Sequence, residues 1–138
     1  MKVKLFSIAV SLLFFPVSLI GNLLGGAAVE IQVWLNNFFL SPYSIYGIPD
    51  WIKYPLGSIF AGIAGGWLAA KAIKKIYKNV DLLYAMIFPV LLMIFAFYID
   101  LTNAINSNNI LAATTFGHFI RHICTISSYY IFLKNEWK

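Results

Sequence analysis

Three side chains in the last quarter of the chain have the types and spacing to do chemistry. His118, Arg121 and His122 stand at i, i+3 and i+4, so on a helix they share one face. Thr114, Thr125 and Tyr129 continue that stripe in both directions. Histidine takes up or releases a proton near neutral pH. Arginine keeps its charge and presents a planar fork of donors that fits a carboxylate or a phosphate. Arg121 is the single arginine of the chain, and it falls inside an apolar run. If that run crosses a bilayer, Arg121 lies roughly 17 Å from the outer end, near the midplane. A charge at that depth costs at least about 3 kcal/mol, which implies a protein-lined interior or a water-filled cavity. Snorkelling is a poor alternative, because the stem is short for such a depth.

Few groups in the sequence can answer this charge. Asn22, in the first apolar segment, lies at a depth similar to His118. Asp100 and Glu30 are the nearest acids, and both fall toward the outer boundary. The expected counter-charge is therefore a carbonyl cluster, a bound anion, a lipid phosphate or a partner subunit. His118 and His122 also match the spacing of two metal ligands on one helix face. A third and a fourth ligand are missing, and Cys124 points off that face, so neither a metal nor another cofactor is expected. No paired carboxylates, nucleophile elbow or phosphate loop is present, so a non-enzymatic protein is expected.

The elements that position these residues follow from composition. Of 138 residues, 61% are hydrophobic and 11% charged. A soluble domain carries roughly 25% charged residues, and a chain this short could not hide so much apolar surface. Disorder needs the opposite composition. The chain reads as a single all-α integral membrane domain over 1–138, with the lipid bilayer as its first partner. The net charge of +5 comes from lysines that flank apolar segments, with no basic run interleaved with aromatics. That pattern sets topology and excludes nucleic acid as a partner.

Four transmembrane helices are expected, at about residues 5–29, 56–73, 80–99 and 110–133. The first follows Met1-Lys2-Val3-Lys4 and is interrupted by Pro16. A signal peptide cleaved near Gly26-Ala27-Ala28 is the competing reading, but the apolar run exceeds the usual ~7–15-residue signal core. Residues 30–54 are an interfacial segment. Ile31, Trp34, Leu35 and Phe38 follow the helical apolar period, which predicts an amphipathic helix lying at the outer interface. Trp34, Phe38, Trp51 and Tyr54 are its expected anchors. A single helix running on to Leu40 would be roughly 54 Å long, so a break after the first span is expected. Pro89 interrupts the third span, and 101–109 reads as a polar loop. With four spans, Lys2, Lys4, Lys71, Lys74, Lys75, Lys78, Lys134 and Lys138 share one side, and only Lys53 lies on the other. The positive-inside rule then puts both termini on the cytoplasmic side, and a multi-pass protein of the cell inner (plasma) membrane is expected.

The second span is rich in small residues. Gly57, Ala61, Gly65 and Ala69 form one i, i+4 row, and Ser58, Gly62, Gly66 and Ala70 form the next. The first span adds Gly21, Gly25 and Gly26. Small residues let helix backbones approach in lipid, and this face predicts close contact, either within one chain or in a homo-oligomer. The leading functional expectation is a self-associating membrane subunit. It would act as a sensor, anchor or channel-like element of a bacterial assembly, with defence or immunity against phage as one setting. Lys71, Lys74, Lys75 and Lys78 would face acidic lipid or a cytosolic protein. The alternative is a small transporter or pore passing anions or protons along the stripe of the fourth span.

Overall fold

The computed structural model describes residues 2–39, 50–106 and 113–135, with side chains placed over 2–27, 54–106 and 115–135. All regular structure among them is helical: α1 (Lys2–Ser11), α2 (Phe14–Phe39), α3 (Asp50–Ile76), α4 (Leu82–Asn106) and α5 (Ala113–Lys134). Among the described residues, three stretches are long and apolar enough to cross a membrane: Lys2–Ala27, Tyr54–Ile76 and Leu82–Asn106. Four such stretches were expected. The fourth helix of the expected set, α5, spans 22 residues but carries His118, Arg121 and His122 together with several hydroxyl residues. Those side chains dilute its hydropathy below that of a free-standing span.

The first break is placed by a proline. The first apolar segment is interrupted at Leu12–Leu13, where Leu12 N–H and Leu13 N–H turn to carbonyls three residues back. Pro16 then sits in the first turn of α2, where a missing N–H costs nothing. The expected break after residue 29 does not occur, because α2 runs without interruption to Phe39. Residues 30–39 are thus helical, as expected, but belong to the first long helix and not to a separate one. The side chains of Trp34, Phe38 and Trp51 and residues 40–49 lie outside the described set. The polar stretch after residue 100 is likewise helical as far as Asn106, not a loop. Its Thr102 hydroxyl returns to the carbonyl of Tyr98 at 2.7 Å, which satisfies a polar side chain without leaving the helix.

Pro89 lies within α4 and cannot donate to the carbonyl of Ala85, four residues back. The Tyr129 hydroxyl of α5 donates to that carbonyl at 3.3 Å. A neighbouring helix thus satisfies the group that proline frees, which is how such a break survives in an apolar medium. At the same end, Asp81 caps α4, accepting from Leu83 N–H at 3.2 Å. Asp81 N–H donates to Ser7 Oγ at 2.9 Å, and Lys74 Nζ reaches the Asn135 carbonyl at 2.7 Å. Lys4 lies over the Tyr84 ring, Lys71 over Trp67 and Lys134 over Tyr130. These four lysines therefore gather at one end of the bundle, called the basic end below.

The core is narrow. Val10, Phe14, Ala69, Ala70, Ile73, Ala85, Tyr129 and Leu133 form one buried cluster near the basic end. Outside it, large apolar side chains face outward, among them Leu23, Leu83, Leu91, Ile94 and Tyr98. Contiguous apolar surface of this extent marks a protein whose surroundings are themselves apolar.

Candidate functional site

The stripe of α5 is positioned by the small rows of α3. A Cβ added to Gly62 would meet the Arg121 carbonyl at 2.6 Å and Cys124 Cβ at 2.7 Å. One added to Gly66 would overlap Ser128 Oγ and the Thr125 carbonyl. Gly117 of α5 faces Ser58 Oγ in the same way, at 2.9 Å. The other row meets α2: Gly21 faces the Gly65 backbone at 2.7 Å, Gly25 faces Ala61 Cα at 2.8 Å, and Gly65 abuts Asn22. Ala61, Ala69 and Ala70 are buried with them. Both rows of α3 are therefore filled within one chain, one by α2 and one by α5. Gly57 is half-buried at the far end of its row. Of the two uses expected for this face, the contacts seen are those within one chain.

Hydroxyls close the seam. Thr125 Oγ1 donates to the Arg121 carbonyl at 2.8 Å and lies 3.4 Å from Asn22 Oδ1. Ser128 Oγ lies 3.1 Å from the Thr125 carbonyl and 3.3 Å from that of Gly62. Asn22 thus meets α5 at Thr125, one to two turns nearer the basic end than His118.

The two histidines turn to α4. His122 Nε2 lies 2.8 Å from Asp100 Oδ2, and His118 Nδ1 lies 3.7 Å from Asp100 Oδ1. The Asp100 and His122 side chains are about one-fifth exposed, at 20% and 21%, while that of His118 is half exposed. Phe97 tilts against the His122 ring at 5.6 Å and stacks on Phe119 at 5.1 Å, which shields the pair on one side. The sequence marks Asp100 only as a boundary acid. What it lacks is the packing of α4 on α5, which brings one carboxylate within reach of both histidines.

Arg121 is left out of this pairing. Among the described residues it forms no ion pair, and its Nε is enclosed without a hydrogen-bond partner. It lines a cavity of about 450 Å³ between α2, α4 and α5. α2 contributes Phe14, Phe15, Ser18, Leu19, Asn22 and Leu23, and α4 contributes Leu92, Met93, Phe95, Ala96 and Ile99. The floor is α5, with Arg121, His122, Thr125 and Ile126. Of the polar members, Asn22, Arg121, His122 and Thr125 are singled out by sequence reasoning and Ser18 is not. The apolar walls are ordinary span residues with no distinguishing local signal.

Other expected site residues are placed as follows. Thr114 lies in α5, with its side chain outside the described set. Tyr54 is exposed near the start of α3. Lys71, Lys74, Lys75 and Lys78 stand at the basic end, Lys74 and Lys75 in the last turn of α3, where they complement the helix dipole. Among the described residues no group of three His, Cys, Asp or Glu is arranged to hold a metal ion. No protein-family model, curated protein or solved structure matches the chain.

Proposed function

We propose that this chain is a non-enzymatic, multi-span membrane subunit whose polar cluster on α5 serves as a sensing element within a larger assembly. In this reading α5 crosses the bilayer as a fourth span, sheltered by α2, α3 and α4, and the basic end faces the cytoplasm. The observation that carries it is the closed end of the polar track. Asp100, His118, His122, Arg121, Asn22 and Thr125 are contiguous. Toward the basic end they give way to the buried layer of Phe14, Ile73, Tyr129 and Leu133. A cluster that is reachable from one side and sealed on the other suits binding and readout better than passage.

Purification of the tagged protein from native membranes in mild detergent tests this reading. A stoichiometric protein partner is the expected result, and recovery of the chain alone would sink it. Labelling of single cysteines at residues 2 and 108, in a Cys124→Ser background, tests the orientation. Reagent that cannot cross the membrane should reach residue 108 from outside and residue 2 only after lysis.

The contiguity of the stripe also favours a second reading, an anion or proton path. It requires the Tyr129 layer to open. Proteoliposomes that conduct neither protons nor chloride over a range of pH would eliminate it.

A further inference from the structure

The cavity floored by Arg121 joins a cation to apolar walls. We propose that the groove between α2 and α4 binds a long-chain carboxylate, with the acid on Arg121 and the acyl tail along the apolar walls, a proposal that rests on the membrane-embedded reading above. Charge is the first support. Arg121 lines the groove as a cation with no anionic partner among the described residues, and its Nε is enclosed and unpaired. Asp100, the nearby acid, is already engaged by His122 at 2.8 Å and His118 at 3.7 Å. A guanidinium in an apolar site takes a carboxylate in paired, charge-assisted hydrogen bonds, among the strongest that proteins make. Thr125 and Asn22 stand beside it as further polar contacts.

Shape is the second support. A volume of about 450 Å³ falls within the range of small-molecule sites, which combine apolar walls with a few convergent polar groups. Here the walls are Leu19 and Leu23 on one side and Leu92, Ala96 and Ile99 on the other. Leu19, Leu23 and Ile99 are also exposed, and α2 and α4 touch only sparsely, so the groove opens sideways onto the surrounding lipid. A ligand can therefore enter from the bilayer.

Depth decides between an acid and a phospholipid. Arg121 is eight residues along α5 from Ala113, so it lies roughly 12 Å below that helix end. A carboxylic acid crosses the apolar layer in its neutral form and releases its proton to solvent as it pairs with the guanidinium, so it carries no charge on the way in. A phosphodiester head group stays ionised and bears the full cost of burial at that depth.

The test uses the full-length protein in phosphatidylcholine nanodiscs with tritiated oleate as probe. Saturable binding is expected, displaced by unlabelled oleate but not by oleyl alcohol. Arg121→Gln should weaken it by at least about tenfold, and Arg121→Lys by less. Ala96→Phe should abolish it by filling the tail slot while leaving Arg121 in place. A photoreactive oleate should label peptides from α2 and α4. Retained helical circular dichroism and elution volume establish that each variant is folded, and labelling of the parent decides the matter if Arg121→Gln is not. Non-saturable partition, equal displacement by oleyl alcohol, full binding by Arg121→Gln, or displacement by phosphatidylglycerol at the same mole fraction would overturn the proposal. A partner recovered from membranes without oleate binding removes this proposal alone. Saturable oleate binding by a protein that purifies without a partner removes the subunit reading alone.

Discussion

Helices α2 and α5 each have two kinds of neighbour, and the contrast between them organises the molecule. Against α3 both come to backbone contact, through Gly21, Gly25, Gly62, Gly65 and Gly66. Against α4 the packing is looser: α2 touches it only sparsely, α5 meets it mainly through side chains, and a groove of about 450 Å³ floored by a cation lies between them. The apolar medium is the same on both sides, so hydrophobicity does not decide which side closes. Side-chain size does. α3 offers hydrogen or methyl where α4 offers Leu92, Met93, Phe95 and Ile99. Dispersion between close backbones holds the first seam, while the second is pinned by polar contacts, Asp100 with His122 and the Tyr129 hydroxyl with the Ala85 carbonyl.

Four substitutions break or sharpen this contrast, with stability read by denaturant titration in detergent. Gly66→Leu should have the largest effect, because the side chain would meet the backbone of Thr125 and Tyr129. A loss of about 3 kcal/mol or failure to fold is expected for overpacking against backbone. An unchanged midpoint would mean that the seam is not tight. Arg121→Met should move stability the other way, by about 2 kcal/mol, since it removes a charge that the fold leaves uncompensated. A destabilised Arg121→Met would show that the guanidinium holds the groove together. Tyr129→Phe should cost about 1 kcal/mol, the price of returning the Ala85 carbonyl to its unpaired state. Equal stability of that variant would assign the Pro89 break to the helix alone. Gly26→Ala is the control. Nothing lies within 4 Å of its added methyl, so a change within about 0.5 kcal/mol is expected of a substitution that touches nothing. A larger loss would reveal a neighbour on that face of α2.

Much of this was legible in the sequence, and what was not has physical reasons. The helical class and the apolar segments follow from composition, because 61% hydrophobic residues leave few alternatives. The stripe of His118, Arg121 and His122 is readable from helical spacing. The reach of α2 to Phe39 was not, since a length rule argued for a break that only tertiary packing could deny or permit. The partner of the histidines was missed because depth along the chain is a poor guide to contact between packed helices. Asp100 looked like a boundary residue, yet it reaches both rings. Small residues announced close contact but not its address. Only the fold shows that one row of α3 packs on α2 and the other on α5.

The two-residue break at Leu12–Leu13 has a mechanical consequence. It lets α1 leave the line of α2 and lie on α4, with Ser7 against Asp81 and Lys4 against Tyr84. α4 is therefore tied to α1 at its basic end, and farther along to α5, where Asp100 meets His122 and Phe97 stacks on Phe119. Between those two ties it walls the groove against α2, which it touches only sparsely. Any widening of the groove is thus a bowing of α4 between fixed points, and the nearer of those points is the segment that carries Lys2 and Lys4.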